Sequence, residues 1–300
     1  MALADGTEWR DPDKCAWRAW EQVGESASNW PHRQSSNTPE DKMEAVAASY
    51  PLSRERAVII ACLLGLAAAA WLLLGWQWAT MEDDEAMSLT MGMGAPVFLG
   101  IWIIMMIAMM FPTATPMILA FTRVQAAKES RGQPFVPTWV FVGAYLGVWT
   151  TAGVAAYLGA VGASRLADES MWLMDNAGRI GGAVLVAAGV YQLSPLKRMC
   201  LSKCRTPMTF ILTSWRDGTR GALNMGVRHG IYCLGCCWML FVILFPLGIM
   251  NVAIMAVVTL LIFAEKSLPM GPQVARVAAT VLVGYGFLVL AVPEALPTMM

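Results

Sequence analysis

The sequence predicts an all-α, polytopic membrane helix bundle of about seven spans. Three observations predict it. The 300 residues are 57% hydrophobic and only 14% charged. The apolar runs reach the roughly 20 residues that cross a bilayer. Basic and acidic clusters alternate between the runs in the way that orients membrane helices. The formal net charge is zero, so nothing points to nucleic acid. No Walker loop, dinucleotide fingerprint, nucleophile elbow or HExxH is present, which leaves no sign of nucleotide coupling or of a hydrolase. A non-enzymatic role is favoured.

Residues 1–50 carry five basic and nine acidic side chains. They read as a polar cytoplasmic tail, with a short helix at 17–23 and tryptophans at Trp9, Trp17, Trp20 and Trp30. Cys15 and His32 fall there, and isolated in a tail they are poor ligands. The bundle occupies residues 51–300. Arg54 and Arg56 precede a first span at 57–78, which ends in Trp71, Trp76 and Trp78, the aromatic belt expected at an interface. Cys62 inside it reads as a small buried hydrophobe. The acidic run Met81-Glu-Asp-Asp-Glu85 follows, with Met87, Met91 and Met93. The positive-inside tendency puts the N-terminus in the cytoplasm and this loop outside.

A second span at 96–121 holds Met105, Met106, Met109 and Met110, with Pro112 and Pro116 expected to kink it or end it early. A third, at 136–161, carries Gly143 and Gly147, a spacing that permits close helix contact. A fourth, at 180–193, is short. Residues 194–228 carry seven basic side chains against the single acid Asp217, which marks a cytoplasmic loop. Ser194-Pro195 starts a helix there, Pro207 ends it, and Asp217-Gly218 reads as a turn. Beyond His229 the apolar run is broken at Pro246-Leu-Gly248, giving spans at 229–247 and 249–264 (or one tilted helix and a total of six). Glu265-Lys266 would mark the exit, with the lysine snorkelling; a carboxylate ligand or proton relay is the alternative role for the pair. A last span at 274–292 follows.

The chemistry concentrates in His229-Gly-Ile-Tyr-Cys233-Leu-Gly-Cys236-Cys237-Trp238. Residues three and four apart share a helical face, so Cys233, Cys236 and Cys237 align, one turn from His229. The reading places them at the cytoplasmic mouth of the fifth span. Cys200 and Cys204 lie one turn apart in the adjoining loop. The cytoplasm keeps thiols reduced, so all five are available as ligands. Thiolates and imidazole suit Cu(I), Zn(II) or an iron–sulfur cluster. Thioethers select Cu(I), which nominates the Met105–Met110 face, Met105 and Met109 first, as relay ligands and the Met81–Met93 loop as a capture site.

Together, Met105-Met-Ile-Ala-Met109-Met-Phe-Pro112, Tyr191-Gln-Leu-Ser-Pro195-Leu-Lys197, Cys200-Leu-Ser-Lys-Cys204-Arg-Thr-Pro207 and the Tyr232-Cys-Leu-Gly-Cys-Cys-Trp238 string resemble a bacterial family described as predicted metal-binding integral membrane proteins. Gly248-Ile-Met-Asn251 and Glu265-Lys266 extend the likeness, which spans residues 55–292. The resemblance implies a metal site in the bacterial inner membrane without naming metal or reaction. The favoured function is handling of a thiophilic metal, Cu(I) first, by delivery, insertion or transport. Two alternatives stand beside it. One is an accessory subunit of a membrane complex, docked through the tail or the GxxxG faces. The other is a membrane thiol–disulfide protein using Cys200/Cys204 against Cys233/Cys236.

Overall fold

The computed structural model describes residues 39–80, 93–249 and 251–296, with side chains in the first stretch from Arg56 onward. The expected tail helix at 17–23 and most of the acid–methionine loop lie outside the described residues. The chain divides into two compact units, Met1–Pro51 and Leu52–Met300; the second carries the architecture that follows. Among the described residues all regular structure is helical, as the apolar runs require.

The helices are α1 Pro39–Thr80, α2 Ala95–Glu129, α3 Thr138–Glu169, α4 Met171–Asp175, α5 Ala177–Gln192, α6 Pro195–Arg205, α7 Pro207–Ser214, α8 Gly218–Val242, α9 Leu244–Leu247, α10 Val252–Ser267 and α11 Gly271–Ala291, followed by a 3₁₀ turn at Pro293–Ala295. Among the described residues, five segments are long and apolar enough to cross a membrane, or six if α5 and α6, bent by 61°, form one broken span. The sequence reading gave about seven. The difference lies in α5 and α10, which have 16 residues each. At 1.5 Å per residue each reaches about 24 Å, short of the roughly 30 Å hydrocarbon thickness. The outward faces are apolar: Leu72, Trp139, Leu212 and Val277 are all exposed, as a lipid-facing surface requires.

Several local expectations are met and several corrected. Ser194 caps α6, its hydroxyl accepting from the Lys197 N–H at 3.1 Å, and α6 ends at Arg205 just before Pro207. Asn251 caps α10 in the same way, accepting from Ile254 N–H at 3.1 Å. The 194–228 stretch between spans holds α6, α7 and the first turns of α8. Helix α8 begins at Gly218 (φ 76°), eleven residues before His229.

Pro112 and Pro116 do not end α2, which runs through both to Glu129. A proline removes the hydrogen bond to the carbonyl four residues earlier, here that of Ala108. The Trp71 indole of α1 donates to that carbonyl at 3.1 Å. Trp71 is therefore an inward-facing anchor rather than a belt residue, while Trp76 and Trp78 are exposed. Cys62 is exposed on the outer face, not buried.

Glycines set the closest helix approaches. A Cβ on Gly286 of α11 would meet Val186 N at 2.8 Å and Gly182 O at 2.9 Å, both on α5. A Cβ on Gly226 of α8 would lie 2.5 Å from Phe141 O on α3. Gly143 and Gly147, the pair marked from spacing, have nothing within 4 Å among the described residues. On the surface Lys128 pairs with Asp217, which also accepts from Trp215 at 2.9 Å. The ammonium first, and the indole second, hold the Asp217 carboxyl below its ordinary range.

Candidate metal centre

Helix α8 supplies the centre because its 3.6-residue period turns one stripe inward. Met225, His229, Cys233, Cys236, Cys237 and Leu240 are all buried. Cys233 sits at the middle of the Gly218–Leu247 segment rather than at its mouth, because the helix starts so much earlier than the apolar run. Gly226 and Gly230 bring this stripe against α3, where a Cβ on Gly230 would stand 2.9 Å from Val148. Helix α6 packs on the same stripe from the other side. Its arrival is fixed by the α5–α6 bend and by polar ties: Lys197 pairs with Glu265 of α10 at 2.6 Å and also with Gln192. Arg205 donates to the Glu265 and Leu268 carbonyls at 3.0 and 2.8 Å. Tyr191 donates to the Gly235 carbonyl.

The sulfurs converge. Cys204 of α6 lies 4.0 Å from Cys236 of α8. Cys236 lies 3.2 Å from Cys237 and donates to the Cys233 carbonyl at 3.2 Å. Cys233 in turn approaches the Met110 thioether of α2 at 3.9 Å, the Tyr145 hydroxyl of α3 at 3.1 Å and the Lys266 ammonium of α10 at 3.1 Å. Five helices thus contribute a side chain to one buried point. Two sulfurs bound to one tetrahedral ion at 2.3 Å stand about 3.8 Å apart, so the Cys204–Cys236 separation suits a shared ion. The donor set, four thiols and a thioether, is soft and fits Cu(I). Among the described residues, however, no three His, Cys, Asp or Glu side chains already enclose a metal position. The thiols meet one another and the Lys266 ammonium instead.

The structure sorts the residues nominated from the sequence. Cys204, Cys233, Cys236 and Cys237 come together. Cys200 turns to the neighbouring turn of α8, where a Cβ on Gly235 would lie 2.7 Å from its sulfur. His229 stands in an aromatic box, its ring 5.4 Å from Tyr145, 5.9 Å from Phe210 and 6.0 Å from Phe141. Neither of its nitrogens has a hydrogen-bond partner among the described residues. Met105 and Met109 are buried in the α2 core, and the thioether contact to the cysteines is made by Met110. Met93 is partly buried; Met81, Met87 and Met91 lie outside the described residues.

Lys266 and Glu265 are the main correction. Read as an interfacial pair with a snorkelling lysine, they are both buried, Glu265 at 1% exposure and Lys266 at 9%. Lys266 also reaches the Thr113 hydroxyl at 3.5 Å. Thr113 and Tyr145 were the contributors that sequence reasoning missed, and Glu265-Lys266 was marked without its contact to the cysteines. The available signal was an ionisable residue closing an apolar helix, which in a membrane protein marks function by default.

Residues 99–289 match the PpoB2 family, described as a copper chaperone. That is well over half of the chain, and the chain belongs to this family. No curated protein and no solved structure matches it.

Proposed function

We propose that this member of the copper chaperone family holds Cu(I) on Cys204, Cys233, Cys236 and Cys237, with Met110 beside them, and passes it to a copper-requiring partner. Family membership supports copper as the cargo. The observation that carries the residue assignment is the meeting of sulfurs from separate helices: Cys204 4.0 Å from Cys236, and Cys233 3.9 Å from Met110. A thioether among thiolates favours Cu(I) over Zn(II), which is normally held by thiolate, imidazole and carboxylate. Burial of Cys233, Cys236 and Cys237 keeps the ion from water while it is carried.

The setting is a bacterial inner membrane with the N-terminus on the cytoplasmic side; counting α5 and α6 as one broken span then returns the chain to the cytoplasm at α7. The seven basic side chains of residues 194–228 favour that orientation, and the reducing cytoplasm keeps the thiols available. The thioethers of the 81–93 loop would then meet copper on the outer side.

The test is Cu(I) loading of the detergent-purified, reduced protein under competition with a chromophoric Cu(I) chelator. One retained copper per chain is expected, lost in Cys233→Ser and Cys236→Ser. Equal retention by wild type and both variants would overturn the assignment.

A further inference from the structure

We infer that Lys266 is the counter-cation of the copper complex and thereby sets its preference for a monovalent ion. The inference rests on the proposed copper site and adds a charge requirement to it.

When Cu(I) displaces the protons of two of the four thiols, the other two staying protonated, the released protons leave to water and a complex of net charge −1 remains. Burying an uncompensated charge in an apolar interior is costly. Among the described residues, one cation near Cys233 is placed to meet that cost. Lys197 is committed to Glu265 and Gln192. Arg205 is directed at the backbone carbonyls of Glu265, Leu268 and Pro269. Lys266, by contrast, forms no ion pair with a carboxylate among the described residues; its contacts are the Thr113 hydroxyl and the Cys233 sulfur. A buried ammonium facing a sulfur cluster, while the neighbouring Glu265 carboxylate is paired with Lys197, is the complement of an anion formed there. Thr113 and Tyr145 complete the surroundings as neutral hydrogen-bonding groups.

The charge requirement separates Cu(I) from a divalent ion held by the same two sulfurs. A bis-thiolate Hg(II) complex is neutral and gains nothing from a neighbouring ammonium. Lys266 is therefore a positioning and specificity residue, and a purely structural role would affect both metals alike.

The experiment compares Cu(I) and Hg(II) affinities, by competition with soluble thiol or chelator, in the full-length detergent-solubilised protein. Lys266→Met and Lys266→Gln remove the charge; Lys266→Arg keeps it. Both neutral variants are expected to weaken Cu(I) by at least about tenfold relative to Hg(II), as loss of a unit charge a few ångströms away implies, and the arginine variant to recover most of that loss. Retained Hg(II) binding also shows that the thiol cluster is intact. Equal changes for both metals in Lys266→Gln, or none for either, would overturn the inference and leave the copper site standing. A wild-type protein that binds Hg(II) but not Cu(I) would overturn the copper site and the inference together.

Discussion

Breaking the Lys197–Glu265 pair should cost more than any surface charge change in this protein, and removing both charges should restore most of the loss. Both side chains are 1% exposed and their atoms stand 2.6 Å apart. Solvent screening therefore offers no relief. Lys197→Met leaves the Glu265 carboxylate buried with one oxygen already lacking a partner. Removing one member of a buried pair costs about 3–5 kcal/mol, whereas replacing both by apolar groups of similar volume is near neutral. Against a total stability of about 5–15 kcal/mol, the single variant should unfold at markedly lower denaturant.

The double variant Lys197→Met/Glu265→Leu should sit within about 1 kcal/mol of wild type, giving a coupling energy above about 2 kcal/mol. Tryptophan fluorescence during reversible denaturation in micelles reports all four corners of the cycle. A second readout follows from the geometry. Lys197 lies on α6, the helix that delivers Cys204, so the single variant should also lose Cu(I) affinity. Single variants costing less than about 1 kcal/mol, or a double variant whose cost is the sum of the singles, would refute the reasoning.

Two further outcomes follow from the packing. Gly286→Leu should destabilise by about 1–3 kcal/mol through overpacking, since its Cβ would already stand 2.8 Å from a backbone nitrogen of α5. Gly143→Leu, with nothing within 4 Å, should be neutral or slightly stabilising by helix propensity. Thermal melts in one detergent compare the pair. Cys204→Ser should lower Cu(I) affinity at least about tenfold, or 1.4 kcal/mol, while Cys200→Ser leaves it unchanged; identical losses from the two would contradict the geometry around Gly235.

Much of the fold is legible in the chain. Apolar runs of spanning length leave no alternative to helices, because unpaired backbone groups are too costly in lipid. The Ser194 cap, the stop at Pro207 and the break at Gly248 follow from local chemistry alone. The cysteine stripe of α8 follows from the 3.6-residue period, which depends on nothing beyond the helix itself. Where the reading erred, it assumed that helices end where hydrophobicity ends. Helix α8 instead extends back to Gly218, and α2 continues past two prolines, the Trp71 indole of another helix taking up the Ala108 carbonyl that Pro112 leaves free.

The sequence by itself thus determined that this is a helical protein suited to a membrane, with soft metal donors gathered on one helical face. Only the tertiary structure decided what that face meets. Periodicity gives the direction a side chain takes from its own axis but says nothing about the crossing of a second axis. The crossing of α6 over α8 selects Cys204 over Cys200, the approach of α2 selects Met110 over Met105 and Met109, and the end of α10 turns Lys266 inward. Each choice depends on contacts between residues far apart in the chain, such as Lys266 and Cys233, and these form only when the helices pack.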